Sequence, residues 1–255
     1  MLQSTAQAQP TGLTRSSINP AEQSSLAAAF STCCFQGLCL PCGPNGSEHH
    51  RFDDLVPTKR RIAKGDSVYR SGDTLAFLYV VRRGAFKSVS VSRQGDVKVT
   101  GFHLPRDMLG LDAISAGRHG YDAVALEDSE VCAVLFAALE RLSLGRPVLQ
   151  SHLFRMISSD ISRDQGLMLL LGCMSAEQRL AALLLSLSRR YQRLGFAADR
   201  FVLRMTREEI GSYLGLTVET VSRVLWRFQR EGLIGVHQRE IELKNPGRLR
   251  EMVGQ

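Results

Sequence analysis

The stretch Thr206-Arg-Glu-Glu-Ile-Gly-Ser-Tyr-Leu-Gly-Leu-Thr-Val-Glu-Thr-Val-Ser-Arg223 carries two helix starts and one turn. Thr206 followed three residues later by Glu209 forms a capping box, in which each side chain satisfies the other's orphan backbone N–H. Gly215 supplies the turn, and Thr217 caps a second helix. On that helix Val218, Val221, Leu225 and Phe228 fall on one face, while Glu219, Ser222, Arg223 and Trp226 fall on the other. An apolar and polar helix pair also suits ordinary packing. The short glycine-containing turn and the basic surroundings favour a helix-turn-helix that reads the major groove. There Arg223 suits guanine O6 and N7, and Glu219 suits a cytosine amino group. Downstream, Leu233 to Leu243 reads as two short strands around His237-Gln238-Arg239, a small wing. Arg227, Arg230 and Arg239 are candidates for phosphate contacts, against the plainer reading of solvated arginines.

Charge follows the same segment. The chain of 255 residues carries a net charge of +7. Its last third, Leu171 to Gln255, holds fourteen Lys and Arg against nine Asp and Glu, or +5. That surplus favours an anionic partner. Immediately upstream, Leu153, Ile157, Ile161, Asp164, Met168 and Leu171 recur at steps of three and four, one stripe along a long helix over 147–173. Near-heptad stripes of this kind commonly pair with a copy of themselves. Asp164 has two readings: a solvated edge residue, or a carboxylate that faces its symmetry mate and keeps pairing weak. The apolar run from Leu167 to Met174 reads as a buried helix end, too short to span a bilayer. With no secretory signal at Met1, the expected location is the cytoplasm.

From Arg60 to about Val134 the pattern becomes short alternating segments with glycine at Gly65, Gly72, Gly84, Gly95, Gly101 and Gly110. This predicts an antiparallel β jelly-roll with a hairpin at Gln94-Gly95-Asp96. Ahead of it, Ser47 to Val56 reads as a short amphipathic helix, and residues 1–28 as a disordered tail. The cysteines are the other chemical signal. Cys33, Cys34, Cys39 and Cys42 crowd into ten residues, Cys132 stands in a strand-like stretch, and Cys173 reads as core. In a reducing compartment such clustering points to a metal or redox site. Taken alone, Cys132 is also a plausible small buried hydrophobe. A tetrahedral zinc site from Cys33 or Cys34, Cys39, Cys42 and His49 or His50 is a rival. A thiol oxidoreductase is another, although no C-x-x-C precedes a βαβ pattern. A DNA-binding protein without a ligand is the third.

Thr100-Gly-Phe-His-Leu, Leu109-Gly-Leu-Asp-Ala-Ile, Asp164-Gln165 and Tyr213-Leu-Gly-Leu-Thr-Val-Glu-Thr-Val-Ser-Arg closely resemble the FNR (fumarate and nitrate reduction regulator) branch of the CRP/FNR transcription factors, over roughly Cys33 to Met252. The resemblance implies an α+β homodimer and no enzyme. Its parts are a cyclic-nucleotide-binding-like jelly-roll with the cysteine segment (29–146), a dimerisation helix (147–173) bearing Leu153, Ile157, Ile161, Asp164 and Met168, and a winged helix-turn-helix (174–255). It implies a palindrome with TTGAT-like half-sites, with Glu219, Ser222 and Arg223 at the base-reading positions. It also implies RNA polymerase contact through Ser92 to Asp96. In the family three N-terminal cysteines and one barrel cysteine hold an oxygen-sensing [4Fe-4S] cluster. Matched here, Cys39 and Cys33 take the third and second N-terminal places, Cys132 takes the barrel place, and Phe30 falls on the first. Cys42 then completes a set of Cys33, Cys39, Cys42 and Cys132, with Cys34 as the substitute. Branches that bind cyclic AMP carry Gly-Glu and Arg-Ser pairs. Here Leu111 follows Gly110 and His119-Gly120 replaces Arg-Ser, with Arg118 beside it, so a cyclic nucleotide is not expected.

Overall fold

The computed structural model describes residues 58–92, 94–144 and 147–254. The tail, the Ser47 to Val56 segment, His49, His50 and the four clustered cysteines lie outside the described residues. The first half is two four-stranded antiparallel sheets. One has the order β1 (Thr58–Ile62), β8 (Ser129–Leu135), β3 (Phe77–Arg83), β6 (Met108–Leu109). The other has the order β2 (Ser67–Tyr69), β7 (Asp122–Ala125), β4 (Phe86–Val91), β5 (Val97–His103). The β4–β5 hairpin closes at the expected place, with Ser92 N–H donating to the Asp96 carbonyl at 2.9 Å.

Around β3 and β8 the first sheet is buried on both faces, which is why β3 is nearly continuous in apolar residues rather than alternating. Tyr79 and Val81 of β3 point inward with Val131 and Ala133 of β8. Leu78 and Val80 point outward with Val134, under Leu139 and Leu149. Leu139 lies on α1 (Phe136–Leu144), and Leu149 on α2 (Pro147–Cys173). The outer face of the second sheet supplies Val89, Val99, Phe102 and Leu104 to the core of the C-terminal half, which is therefore continuous with the barrel.

The long helix α2 leaves much of its stripe in water. Of the stripe, Ile161, Asp164 and Met168 are exposed, Met168 at 71%, and Leu153, Ile157 and Leu171 are half-buried; Phe154 and Leu169, beside it, are exposed as well. The expectation of a buried end at Leu167 to Met174 is thus corrected, and so is that of a core Cys173, which is exposed. An apolar run sets no burial by itself; within a single chain no other element covers this side of the helix end. A sharp break follows, because Ser175 forms a capping box with Gln178 that starts α3 (Ala176–Arg193). One face of α3 buries Leu180, Leu184 and Leu187.

In the C-terminal half α4 (Arg207–Leu214) and α5 (Val218–Arg230) form the helix pair. A three-stranded sheet of order β10 (Ile234–His237), β11 (Glu240–Leu243), β9 (Arg200–Val202) forms the wing, and α6 (Pro246–Met252) closes the chain. The expected wing turn is present, with Gln238 at φ 56°. One face assignment changes: Val218 is 41% exposed, and Val224 is the buried member beside Val221, Leu225 and Phe228. Val218 is the first residue of α5 and lies at the edge of the apolar arc, beyond the packing surface. Among the described residues no helix is long and apolar enough to cross a membrane.

Candidate nucleic-acid interface and thiol site

The helix pair is built as its sequence dictates. Thr206 Oγ1 accepts from Glu209 N–H at 3.1 Å, and Glu209 Oε2 accepts from Thr206 N–H at 2.7 Å. Gly215 ends α4 in the left-handed conformation, φ 64°. Gly211 is needed for a different reason: a Cβ there would lie 2.6 Å from the Leu216 carbonyl oxygen, so only glycine lets the turn pass so close to α4. Thr217 Oγ1 then accepts from Thr220 N–H at 3.2 Å, which starts α5.

The polar face of α5 presents Glu219, Arg223 and Trp226 to solvent, with Ser222 half-buried. Hydrogen bonds from its own backbone N–H and from Thr217, at the helix N-terminus, hold the Glu219 carboxyl below its ordinary range, so it is an ionised acceptor. Arg207 donates to Ser222 Oγ at 3.1 Å and steadies that side chain. Arg223 is exposed, as is Arg239 at the tip of the wing. Arg227 is exposed and forms a surface ion pair with Glu177 of α3. Arg230 lies over the Trp226 ring, 4.7 Å from its centroid.

The base of α4 is bonded to the barrel. Lys87 of β4 donates to Glu209 at 2.7 Å, Val99 N–H of β5 donates to Ser212 Oγ at 2.9 Å, and Phe102 and Tyr213 have ring centroids 5.0 Å apart. Burial opposes ionisation of Glu209, but the bonds from Lys87 and Thr206 outweigh it and keep its pKa low. A second junction centres on Asp107. Its carboxylate accepts from Leu104 N–H at 2.7 Å, pairs with Arg190 of α3, and lies 3.9 Å from Arg163 of α2. One side chain thus touches the barrel turn, the long helix and the reader's first helix.

At the place where related barrels hold cyclic AMP, His119 is buried and stacks on Tyr69 with centroids 3.7 Å apart. Asp112 accepts from Gly120 N–H at 2.7 Å, and Arg118 is directed to the Gly72 carbonyl at 2.9 Å. The adjoining cleft, about 860 Å³, is bounded by Leu111, Asp112, Asp160 and Asp164. Arg163, also at its wall, is paired with Asp160 at 2.5 Å. The lining thus carries three carboxylates, Asp112, Asp160 and Asp164, beside two cations, Lys98 and the paired Arg163.

Cys132 is fully buried in β8. Alternation places its side chain on the outer face with Val80, its register partner on β3, and not with the inward Val131 and Ala133. On the other side its partner is Lys59 of β1, the strand by which the chain enters the barrel. Among the described residues no group of three or more His, Cys, Asp or Glu is placed to hold a metal. The further thiols of the expected set, Cys33, Cys39 and Cys42, and the substitute Cys34, belong to the segment outside the described residues.

Comparison with known proteins gives the class first. A cyclic nucleotide-binding domain matches residues 59–144, and a Crp-like helix-turn-helix domain matches residues 178–252. The structure of FixK2 from Bradyrhizobium japonicum is 33% identical with a TM-score of 0.72, over 78% of this chain and 98% of that one. The transcriptional regulatory protein btr of Bordetella pertussis is 44% identical over 229 residues, 90% of this chain and 95% of the relative. The fumarate and nitrate reduction regulatory protein of Escherichia coli K12 is 43% identical over 222 residues, 87% of this chain and 89% of the relative. The chain belongs to the FNR branch of the CRP/FNR family of transcription regulators. It is a DNA-binding regulator and not an enzyme.

Proposed function

We propose that this protein is an oxygen-responsive dimeric regulator of anaerobic transcription whose sensor is a [4Fe-4S] cluster held by Cys33, Cys39, Cys42 and Cys132. The observation that carries the reading is the position of Cys132, on the outer face of the barrel and one strand from β1. Thr58, the first residue of β1, follows Cys42 by sixteen positions, so the chain length permits a thiolate of the N-terminal group to meet that of Cys132 (an extended reach of about 50 Å). Soft thiolates in a set of four suit iron-sulfur ligation. When bound, the cluster supplies an oxygen-labile link between the N-terminal segment and the barrel.

The rest follows from this chain's own residues. Phe154, Ile161 and Met168 recur at seven-residue steps and are exposed, as a helix that pairs with a second copy requires. Leu153 and Ile157, both half-buried and Leu153 packed in part on the outer core of the barrel, border that seam. Asp164 lies in the same stripe and is exposed in the single chain. Across a two-fold seam its carboxylate meets the equivalent one, and the repulsion keeps the pair sensitive to how α2 is held. Asp107 joins α2 to α3 through Arg163 and Arg190, a physical route from the seam to the reader. In the dimer two copies of α5 meet the two halves of a palindrome with TTGAT-like half-sites, with Glu219, Ser222 and Arg223 at the bases, while Thr217 and Arg239 set position on the backbone. The β4–β5 hairpin around Ser92 to Asp96, flanked by exposed Val91 and Val97, is the surface for RNA polymerase. Leu111 after Gly110, and a buried His119 where an Arg-Ser pair would stand, argue against cyclic nucleotide binding.

Iron and sulfide assay with visible spectroscopy on anaerobically purified protein tests the reading. Cys39→Ser and Cys132→Ser should each abolish the chromophore, while Cys173→Ser should retain it. Normal iron and sulfide in Cys132→Ser would remove the barrel residue from the ligand set.

A further inference from the structure

Trp226 is the one tryptophan of the chain, and it stands 59% exposed on the polar face of α5. A single exposed apolar residue is ordinary on a protein surface, but this one stands in line with residues of the face that reads DNA. At 100° per residue, Trp226 lies two turns beyond Glu219 and within about 20° of it around the helix, about 10.5 Å further along the axis. Arg230 comes one turn later on the same line, with its guanidinium over the indole. Glu219, Trp226 and Arg230 therefore make one straight stripe, flanked by Ser222 and Arg223. The apolar residues Val221, Val224, Leu225 and Phe228 occupy the opposite side, so no rotation of α5 hides Trp226 while Glu219 faces a ligand.

We propose that Trp226 and Arg230 form a sequence-independent clamp on the DNA backbone at the edge of each half-site. The inference rests on the assignment of α5 as the DNA-reading helix. A recognition helix reads base edges with its N-terminal residues, and a straight helix leaves the curved groove toward its other end, where sugar and phosphate form the wall. There the indole N–H donates to a phosphate oxygen while the ring covers a deoxyribose. Arg230, positioned by the ring face, neutralises the next phosphate. Arg227 is not equivalent, because it lies about 100° around the helix from Trp226 and off this stripe.

The test uses full-length anaerobic protein and a fluorescein-labelled duplex with two TTGAT-like half-sites, beside duplexes substituted at single positions. Duplex anisotropy reports binding, and the emission and acrylamide quenching of the single tryptophan report contact. Saturating duplex should shift the Trp226 emission and protect it from acrylamide. Trp226→Ala should weaken all duplexes alike by about fivefold, the worth of one hydrogen bond, with specificity ratios unchanged. Trp226→Phe should fall between the parent and Ala, because it keeps a ring against the sugar and under Arg230 but loses the N–H. Arg230→Ala should lower the salt slope by about one. Normal anisotropy with unchanged Trp226 emission and quenching overturns the inference alone. A loss confined to one base position would make Trp226 a base reader and overturn the backbone assignment. Silent anisotropy with every duplex overturns the DNA-reading assignment and this inference with it.

Discussion

Asp107 is where removing a few atoms should separate three parts of the molecule. Leu104-Pro-Arg-Asp107 is a tight turn with proline at its second position and Arg106 held at φ 73°, a left-handed conformation that costs energy for a residue with a side chain. The Asp107 carboxylate holds that turn through Leu104 N–H, and it also receives Arg190 and Arg163. The side chains of Asp107, Arg190 and Arg163 are 23%, 19% and 28% exposed, so the network lies between a surface pair, about 0–1 kcal/mol, and a buried pair, about 3–5 kcal/mol to break. We take about 2 kcal/mol for the ion pairs and about 1 kcal/mol for the turn bond. Asp107→Ala should therefore destabilise the protein by about 3 kcal/mol, which for a chain of this size lowers Tm by about 6–12 °C. Asp107→Asn keeps an acceptor for Leu104 N–H and for Arg190 but loses the charge, and should lose about half as much. Thermal unfolding followed by circular dichroism measures both. If Asp107→Ala melts within about 2 °C of the parent, the residue is no junction, and the route from α2 to α3 through it falls.

Asp164→Ala should raise the dimer fraction in air, because it removes like charges from the seam; an unchanged monomer fraction in sedimentation would mark Asp164 as a solvated edge. His103 is buried, with Ser88 Oγ 2.6 Å from its Nε2; burial, opposed by Asp107 and reinforced by Arg163 and Arg190, lowers its pKa to about 4. Its folded pKa thus lies below the unfolded value of about 6.5, so folding stability should fall as pH drops between the two; urea midpoints across that window should show a slope that His103→Gln flattens, and equal slopes would refute the assignment. Arg223→Ala should cost about 1–3 kcal/mol and relax discrimination at one guanine, whereas Arg239→Ala should weaken all sites alike and reduce the salt slope. Titrations over half-site variants at two salt concentrations separate them, and equal weakening at every site by Arg223→Ala would make it a backbone anchor.

Local chemistry was legible in the sequence where it acts over a few residues. The Thr206 and Glu209 box, the Thr217 cap and the Gly215 turn need only neighbours, and each stands where its residue types require. The wing and the β4–β5 hairpin were readable for the same reason. What escaped depends on distant partners. Arg227 looks like any solvated helix arginine until Glu177, fifty positions earlier, is found beside it. The strand β9 joins the wing by pairing with β11, and three residues carry too little pattern to announce that. Alternation shows that Cys132 and Val131 point opposite ways, but only the sheet pairing tells which way is out. The run Leu167 to Met174 misled because apolar character marks a surface to be covered without naming what covers it. The stripe that suggests pairing and the clustered thiols that suggest a metal or redox site were visible in the spacing, and the family resemblance added the expectation of a [4Fe-4S] cluster.

The continuous core described between the second sheet and the reader has a bearing on how such proteins can be recombined. Glu209, Ser212 and Tyr213 are spaced i, i+3 and i+4 on α4 and meet Lys87, Val99 and Phe102 of the barrel. The strands β4 and β5 are thus as much the foundation of the helix-turn-helix as the wall of the barrel. A chimera that grafted a foreign reader onto this barrel at Ser175 would expose an apolar sheet face unless the graft brought matching side chains at those three positions. Exchange of promoter specificity between paralogues is accordingly easier by replacing the outward residues of α5 than by trading whole C-terminal halves.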